Sequence, residues 1–245
     1  MTEPVVLTRP SRSALPLRQA LAAQGLDVLD WPGIELIPTL PDGGLEGLID
    51  ALQTADAVAF PSPGAVAAAH QFLGDLGQAL EAPGRRIFAQ GQGTANALAQ
   101  VGCDAVLVPT QSHARGLADL IASTEPKPSQ VLVLSGSLSS GVLDQALVEH
   151  GLQVRTLTLY TNRPPANLQR REQPVSCAVF ASPSAARNHL HANPWLRTVP
   201  AVAIGDTTGT WLKEDGAHTH VVVAAQPTVN ALLEAVLGTV KGCSS

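Results

Sequence analysis

Residues 60–66 read FPSPGAV, and residues 180–186 read FASPSAA. A glycine-rich motif follows each copy, GQGTA at residues 91–95 and GDTTG at residues 205–209. The distance along the chain between the two copies is far longer than the few tens of residues that separate the repeats of a solenoid. The duplication therefore predicts two similar domains of ordinary size, each with its own core, and a cleft between them.

A second repeat indicates how the chain is divided between the two lobes. Residues 17–28 (LRQALAAQGLDV) resemble residues 143–154 (LDQALVEHGLQV), but the first block precedes its Ser-Pro motif across a long insertion, whereas the second follows one. The chain is therefore expected to cross twice between the lobes, with two paired linker strands as a hinge. The predicted segments are residues 1–33 with 165–245 for lobe 1, 39–155 for lobe 2, and 34–38 and 156–164 for the linker strands.

Composition and patterning are typical of an α/β protein. Of the 245 residues, 45% are hydrophobic and 14% are charged, which suits parallel strands buried on both faces. Short β-branched runs alternate with amphipathic stretches, so each lobe is predicted to be a doubly wound parallel sheet with helices on both faces. The predicted strands are 5–8, 28–31, 57–60, 86–89, 105–108, 131–134, 154–160, 177–180, 201–204 and 220–223. The predicted helices include 15–24, 63–72, 94–101, 142–150, 183–191, 207–214 and 229–237.

Charge and composition disfavour several classes of function. The formal charge of −5 and the isoelectric point near 5.8 provide no basic field for nucleic acid or anionic lipid. No apolar stretch approaches the roughly 18 residues of a membrane span, and no secretory signal is expected. Cys103, Cys177 and Cys243 are scattered and odd in number, the pattern of reduced thiols, so a cytoplasmic location is expected. Because no heptad run is evident, we expect a monomer.

The duplicated motifs lie where predicted strands meet predicted helices. Ser62 and Ser182 each follow a buried strand and precede a proline, the arrangement of a capping serine with proline at the first helical position. Thr94 and Thr208 lie in glycine-containing turns of the same kind, where glycine lets a ligand approach the backbone closely. Taken alone, a turn of this type is more often an ordinary helix start than a ligand site.

The number and expected placement of these turns favour a site. Ser112 and Thr228, each placed before the last predicted helix of its lobe, form a third pair. All six turns are expected at the carboxyl ends of parallel strands, the edge where open α/β sheets bind ligands. Backbone N–H groups at helix N-termini bind anions, and Arg9 is expected to add a charged donor. The sequence therefore predicts a cleft rich in anion donors.

In the order of its motifs, the sequence resembles the uroporphyrinogen-III synthase family. The resemblance covers the whole chain and rests on LTRP at residues 7–10, FxSPxAV at 60–66, GxGTA at 91–95, LYxxR at 159–163 and the second copies of these turns. It implies two flavodoxin-like, doubly wound parallel-sheet lobes joined by a two-stranded β connector. It also implies a lyase that binds the linear tetrapyrrole hydroxymethylbilane and closes it to uroporphyrinogen III, with inversion of ring D and loss of water.

The resemblance also assigns roles to residues. Tyr160 is the only tyrosine and matches the family's tyrosine at the start of the return linker, which implies help to the departing hydroxyl. Ser62 with Ser182, and Thr94 with Thr208, match paired family residues. They are expected to bind carboxylates rather than act as nucleophiles, since no His–carboxylate pair accompanies them. No cofactor or metal is expected, and a transient contact with porphobilinogen deaminase is a further expectation.

Some residues depart from this pattern or invite another interpretation. Pro61 stands where the family more often has threonine, and Asp206 brings a negative charge to an anion-binding turn. His218 and His220 are spaced to share a strand face, but no third ligand accompanies them, so we expect exposed structural side chains rather than a metal site.

An alternative from a different class is a two-lobed, hinged small-molecule-binding module without catalysis. Such a module shares the predicted cleft and hinge. A small glycosyl or phosphoryl transferase would require stronger nucleotide motifs or acidic metal ligands than this sequence contains. The isomer of the cyclised product distinguishes the synthase from the binding module, since only a synthase redirects the closure of the bilane.

Overall fold

The computed structural model of the chain describes residues 3–214, 218 and 220–242. Within them the strands are β1 (Val5–Leu7), β2 (Val28–Asp30), β3 (Glu35–Pro38), β4 (Ala57–Phe60), β5 (Arg86–Ala89), β6 (Val106–Leu107), β7 (Gln130–Gly136), β8 (Gln153–Arg163), β9 (Cys177–Phe180), β10 (Ala201–Ala203) and β11 (Val221–Val223). The α-helices are α1 (Ser11–Ala23), α2 (Gly44–Thr54), α3 (Pro63–Leu73), α4 (Leu76–Leu80), α5 (Gln92–Ala99), α6 (Ala114–Ser123), α7 (Val142–Glu149), α8 (Pro183–Ala192), α9 (Asp206–Glu214) and α10 (Val229–Gly242). A 3-10 helix covers Pro194–Thr198.

The chain falls into two compact units, each with its own sheet. Met1–Glu35 and Arg163–Ser245 form unit 1, and Leu36–Asn162 forms unit 2. The protein is thus a mixed α/β fold built on parallel sheets, as the alternation of strand and helix patterns predicts.

Unit 1 contains a sheet with the strand order β2-β1-β9-β10-β11, in which every neighbouring pair is parallel. Side chains alternate between its two faces, so Val5 and Leu7 enter one core cluster and Val6 enters the other. Leu17 of α1 and Val236 of α10 cover the first face, and residues of α8 and α9 cover the second. Each fully buried leucine or valine stabilises such a core by about 1.5–3 kcal/mol.

Five strands of unit 2 have the same spatial arrangement, but the chain visits them in a different sequence order. Its sheet runs β3-β8-β7-β4-β5-β6, with β7 and β8 in the places that β1 and β2 hold in unit 1. This is the correspondence that the repeat of residues 17–28 at 143–154 indicates. The pairs β8–β7, β7–β4, β4–β5 and β5–β6 are parallel, and the sheet is again covered on both faces.

The long strand β8 brings Tyr160 into this sheet. It pairs with β7 in register up to Ser135, which lies opposite Thr158, and the register then shifts so that Gly136 lies opposite Tyr160. Such bulges re-aim side chains and are frequent beside functional sites. The edge strand β3 follows β8 on its other side, where the Thr39 N–H donates to the Leu159 carbonyl at 2.8 Å.

Candidate active site

The predicted site residues lie at the carboxyl edges of the two sheets. In unit 2, Ser62 follows β4, Thr94 follows β5, Ser112 follows β6, and Tyr160 lies near the end of β8; we call these residues the unit 2 rim. In unit 1, Arg9 follows β1, Ser182 follows β9, Thr208 follows β10, and Thr228 follows β11; these form the unit 1 rim. Since the strands of each sheet are parallel, the members of one rim share one edge.

The two Ser-Pro turns have the predicted geometry. Ser62 is the N-cap of α3 in an extended conformation, and its Oγ accepts a hydrogen bond from the Ala65 N–H at 3.3 Å. Ser182 caps α8 in the same way and accepts from the Ala185 N–H at 3.2 Å. In both helices proline occupies the first turn, where its missing N–H costs no hydrogen bond. The prediction of capped helix starts is confirmed.

Tyr160 lies at the Ser62 turn. Its hydroxyl oxygen is 3.0 Å from Ser62 Oγ, within hydrogen-bonding distance. Its ring packs against the hydrophobic core of unit 2, and the side chain is only partly buried. The phenol thus has an apolar body held by the core and a hydroxyl at the rim, beside the N-terminus of α3.

Two glycines that the sequence analysis did not single out make room for the phenol. A Cβ on Gly136 would lie 2.7 Å from the Tyr160 hydroxyl oxygen and closer still to ring carbons. A Cβ on Gly64 would lie 3.1 Å from Tyr160 Cζ. Both residues have ordinary backbone angles for any residue, so it is space rather than conformation that requires glycine here. Gly64 belongs to the duplicated motif, and Ser184 takes its place in the second copy. Gly136 belongs to no motif that could have indicated its role.

Thr94 and Thr208 are the least accessible of the predicted site residues. Their side chains are 4% and 3% exposed, respectively. Gln92 and Gly93, before Thr94, are exposed, and α5 begins at Gln92 rather than at the predicted Thr94. Its N-cap, Gly91, provides no side-chain acceptor, so no N-cap side chain accepts from the first backbone N–H groups of α5. The accessible donors of this turn are therefore backbone groups.

Ser112 and Thr228 differ from each other in the structure. Thr228 Oγ1 accepts from the Ala231 N–H at 3.3 Å at the start of α10. Ser112 does not cap α6: His113 is the N-cap, and its Nδ1 accepts from the Gly116 N–H at 3.0 Å. The prediction that Ser112 precedes the last helix of its lobe is also wrong, because α7 follows α6 within unit 2.

Ser112 nevertheless lies at the Gly91 turn. Its Oγ is 3.5 Å from the position that a Cβ on Gly91 would take. The side chain of Ser112 is exposed, so its hydroxyl is available to a ligand at this rim. Ser112 and the start of α5 therefore form one local group of polar donors.

Charge is distributed unequally over the rims. The Arg9 guanidinium is partly buried, and desolvation by burial lowers its pKa, although arginine remains charged at neutral pH. No carboxylate in the described part of the chain forms an ion pair with it. In unit 1, Asp206 is exposed in the first turn of α9. In unit 2, the first turns of α3, α5 and α6 contain no acidic residue. Except at Asp206, these helix starts therefore favour anions.

Two hollows of unit 2 lie away from its rim. One of about 640 Å³ is lined by residues that include Leu80, Arg85 and Cys103. Another of about 470 Å³ is lined by residues that include Arg86 and Lys127. Arg85 and Arg86 lie at the start of β5 and Cys103 precedes β6, so both hollows lie toward the amino edge of the sheet. Cavity size alone therefore does not locate the predicted site.

Two histidines of unit 1 are buried, one of them against expectation. His218, expected to be exposed, is 9% exposed, and its ring packs 5.6 Å from that of Phe180. His189 is fully buried, and its Nε2 lies 2.9 Å from the Trp31 carbonyl. Burial lowers the pKa of His189 to about 4 and also lowers that of His218. Both rings belong to the core of unit 1.

The described residues contain no cluster of three or more His, Cys, Asp or Glu side chains that could hold a metal ion. Cys103 and Cys177 are buried, whereas Cys243 lies outside the described residues. Among the described helices, none is long and apolar enough to span a membrane.

Known proteins of one family resemble this chain along most of its length. The family model for uroporphyrinogen-III synthase HemD matches residues 16–234. A uroporphyrinogen-III synthase from Chlorobaculum parvum is 30% identical over 239 residues, which cover 89% of this chain and 92% of that protein.

Solved structures with the same name share the fold. The uroporphyrinogen-III synthetase of Helicobacter pylori matches with a TM-score of 0.67 and 22% identity, over 97% of this chain and 99% of that one. A mutant uroporphyrinogen III synthase of Thermus thermophilus matches with a TM-score of 0.62 and 18% identity, over 98% of this chain and 100% of that one. With the family model, the sequence relative and the fold in agreement, the chain belongs to the uroporphyrinogen-III synthase family.

Proposed function

We propose that this protein is a lyase that closes hydroxymethylbilane to uroporphyrinogen III, with inversion of ring D and loss of water. Membership of the family supports the reaction. The observation that carries the proposal is the position of the only tyrosine, whose hydroxyl lies 3.0 Å from the capping Ser62 at the unit 2 rim. A proton donor placed at a helix N-terminus suits a reaction in which a hydroxyl must leave beside bound carboxylates.

Carboxylates of the bilane bind at the helix starts of both rims. The bilane carries eight carboxylates, and an arginine for each would make the chain strongly basic, whereas its formal charge is −5. Backbone N–H groups, including those at the start of α3 beside Ser62, and the hydroxyls of Ser112, Ser182 and Thr228 bind anions without adding charge to the protein. Thr94 and Thr208 contribute chiefly through the backbone of their turns, because their side chains are buried. Arg9 supplies a charged donor.

Tyr160 acts on the terminal hydroxyl of the bilane. It donates its phenolic proton to that hydroxyl as the C–O bond breaks, so that water leaves and an azafulvene cation forms. Ring D then attacks through its substituted carbon to give a spiro intermediate. Since the bilane also closes without the protein, but without inversion, the main task of the site is to select this geometry. The proposed mechanism requires no cofactor or metal.

The finer architecture is part of the same proposal. We infer two flavodoxin-like lobes, residues 1–33 with 165–245 and residues 39–155, and linker strands at 34–38 and 156–164. The shared strand order of the two sheets, which matches the 2-1-3-4-5 order of flavodoxin when unit 2 is started at β7, supports this. The protein acts as a cytoplasmic monomer and receives the unstable bilane through transient contact with porphobilinogen deaminase.

Product isomers test the proposal. Hydroxymethylbilane is generated with a porphobilinogen deaminase, this protein is added in catalytic amount, and the oxidised products are separated chromatographically. The proposal predicts a change from the type I to the type III isomer. Type I alone, from a sample shown to be folded, would instead favour the two-lobed binding module without catalysis.

A further inference from the structure

The two Ser-Pro turns are alike in backbone but have different neighbours. Ser62 and Ser182 both cap their helices through a bond from the N–H three residues later. Beyond that bond, Ser62 Oγ lies 3.0 Å from the Tyr160 hydroxyl, whereas Ser182 Oγ lies 3.2 Å from Ser184 Oγ. The duplicated turn is therefore connected to a phenol in one unit and to a second serine in the other.

One position of the repeat differs where the tyrosine ring packs. Residues 60–66 and 180–186 align so that Gly64 corresponds to Ser184. A Cβ on Gly64 would lie 3.1 Å from Tyr160 Cζ, closer than most real contacts of a Cβ atom. The glycine thus leaves the space that the tyrosine ring occupies, and Gly136 leaves space on the facing strand. At the Ser62 turn, the phenol therefore packs against two glycines.

One of the two hydrogen bonds of the Ser62 hydroxyl has a fixed direction. Its Oγ already accepts from the Ala65 N–H, and its single hydroxyl proton remains to be placed. When that proton is donated to the Tyr160 oxygen, the phenolic proton is free for another acceptor. The bond also strengthens as negative charge builds on the phenol oxygen, because charge-assisted hydrogen bonds are the stronger ones. The series runs from the positive end of α3 through Ser62 to Tyr160.

We propose that Ser62 is a positioning residue for Tyr160: it donates to the phenolic oxygen, so that the phenol directs its own proton at the departing hydroxyl of the bilane. The proton passes from Tyr160 to that hydroxyl, the C–O electron pair leaves with water, and the phenolate formed is stabilised by the Ser62 hydroxyl. After ring closure, the cyclic intermediate loses one proton as its last pyrrole ring regains aromaticity. That proton returns to the Tyr160 phenolate. Ser182, its counterpart in the repeat, has no such role. This inference rests on the proposed function.

Matched substitutions separate this role from simple helix capping. Ser62→Ala and Ser182→Ala each remove the capping hydroxyl of an equivalent turn, but only the first removes a partner of Tyr160. We expect Ser62→Ala to lower kcat for type III formation about tenfold or more, with KM changed less than kcat. Ser182→Ala should act mainly on KM, and Ser62→Thr, which retains a hydroxyl and a cap, should restore most of kcat.

A double-mutant cycle tests the connection between the two hydroxyls directly. If Ser62 acts through Tyr160, the kcat of the Ser62→Ala/Tyr160→Phe double variant should equal that of Tyr160→Phe alone. Multiplicative losses in the double variant would overturn the proposal. So would a Ser62→Ala variant whose kcat equals that of the wild type.

A spectroscopic measurement tests the hydrogen bond from Ser62 to Tyr160 independently of the reaction. Tyr160 is the only tyrosine, so the tyrosine Fermi doublet in an ultraviolet resonance Raman spectrum reports on this phenol alone. The ratio of its two bands shows whether the phenol oxygen accepts a hydrogen bond. We expect an accepting phenol in the wild type, in Ser182→Ala and in Ser62→Thr, and a changed ratio in Ser62→Ala. An unchanged ratio would overturn the proposal even if the protein is a synthase, and a changed ratio without type III product would locate the failure in the proposed function.

Discussion

The hydroxyl oxygens of Ser62 and Tyr160 lie 3.0 Å apart although 98 residues separate them in the chain. Ser62 is held by the start of α3, and Tyr160 is held by the last residues of β8. Two elements of unit 2 that are distant in sequence thus meet at one edge of its sheet. The rim combines a phenol hydroxyl with a helix start that favours anions.

Removing the phenolic hydroxyl should affect turnover far more than stability. In Tyr160→Phe we expect kcat to fall at least about tenfold, the range of general acid catalysis. The lost hydrogen bond is partly exposed, so the free energy of unfolding should fall by no more than about 1 kcal/mol. Quantification of type III product and thermal unfolding of the same samples measure the two effects. Wild-type turnover in this variant would remove Tyr160 from the mechanism.

Filling the space at Gly136 should displace the tyrosine. A Cβ there would collide with the ring and with its hydroxyl oxygen. We expect Gly136→Ala to lower kcat at least as far as Tyr160→Phe and to destabilise the protein by about 1–3 kcal/mol, as overpacking usually does.

Gly238→Ala is the matched control for this prediction. No atom lies within 4 Å of a Cβ built on Gly238 in α10, and the residue belongs to neither rim. The control should keep wild-type kcat and gain up to about 1 kcal/mol of stability, because alanine is the better helix former. Urea unfolding and turnover measure both variants. If Gly136→Ala behaves like the control, the packing account of Tyr160 is wrong.

Asp206 is expected to weaken substrate binding. It is exposed in the first turn of α9, where its charge competes with a bound carboxylate. Asp206→Asn should lower KM about two- to fivefold, corresponding to the 0.3–1 kcal/mol typical of a charge at a helix end, with little change in kcat. Asp104→Asn, an exposed charge before β6 at the opposite edge of the unit 2 sheet, is the control and should leave KM unchanged. An equal effect of both changes would point to net charge instead.

Buried His189 should make the protein sensitive to acid. The pKa of His189 is about 4 in the folded protein, against about 6.5 in an unfolded chain. The folded state therefore resists protonation that the unfolded state accepts, so stability is full above pH 6.5 and declines as the pH falls toward 4. Between pH 7 and 5 this residue alone should cost about 2 kcal/mol.

The comparison of two histidine variants isolates this effect. His189→Gln cannot be protonated and should show a smaller loss of stability between pH 7 and 5 than the wild type. His70→Gln, at an exposed position of α3, should retain the wild-type loss. Urea unfolding at the two pH values gives the comparison. An undiminished loss in His189→Gln would assign the acid sensitivity to other groups.

Local features of the site were predictable because they depend on neighbouring residues. A serine before a proline fixes a capped helix start, and both Ser62 and Ser182 form one. Tyr160 was identified through a family resemblance rather than through its surroundings. The strand 57–60 and the strand 177–180 match their predicted bounds, since each is a short buried run ended by a turn.

Tertiary features escaped sequence reasoning. The bulge that places Tyr160 opposite Gly136 depends on how β7 and β8 align, and no residue pattern specifies that register. The burial of His218 depends on packing against Phe180, which is distant in sequence. The cap of α6 is His113, whose imidazole nitrogen accepts the Gly116 N–H bond, and histidine is not among the residue types that usually indicate a helix start.

A single-turnover experiment distinguishes closure by the protein from spontaneous closure of the bilane. Hydroxymethylbilane is mixed with an excess of the folded protein, the reaction is quenched at intervals, and the remaining bilane and both product isomers are quantified. We expect the bilane to disappear faster than in buffer and to yield the type III isomer, and we expect Tyr160→Phe to slow this disappearance. Loss of bilane at the buffer rate, with type I as the sole product, would contradict it.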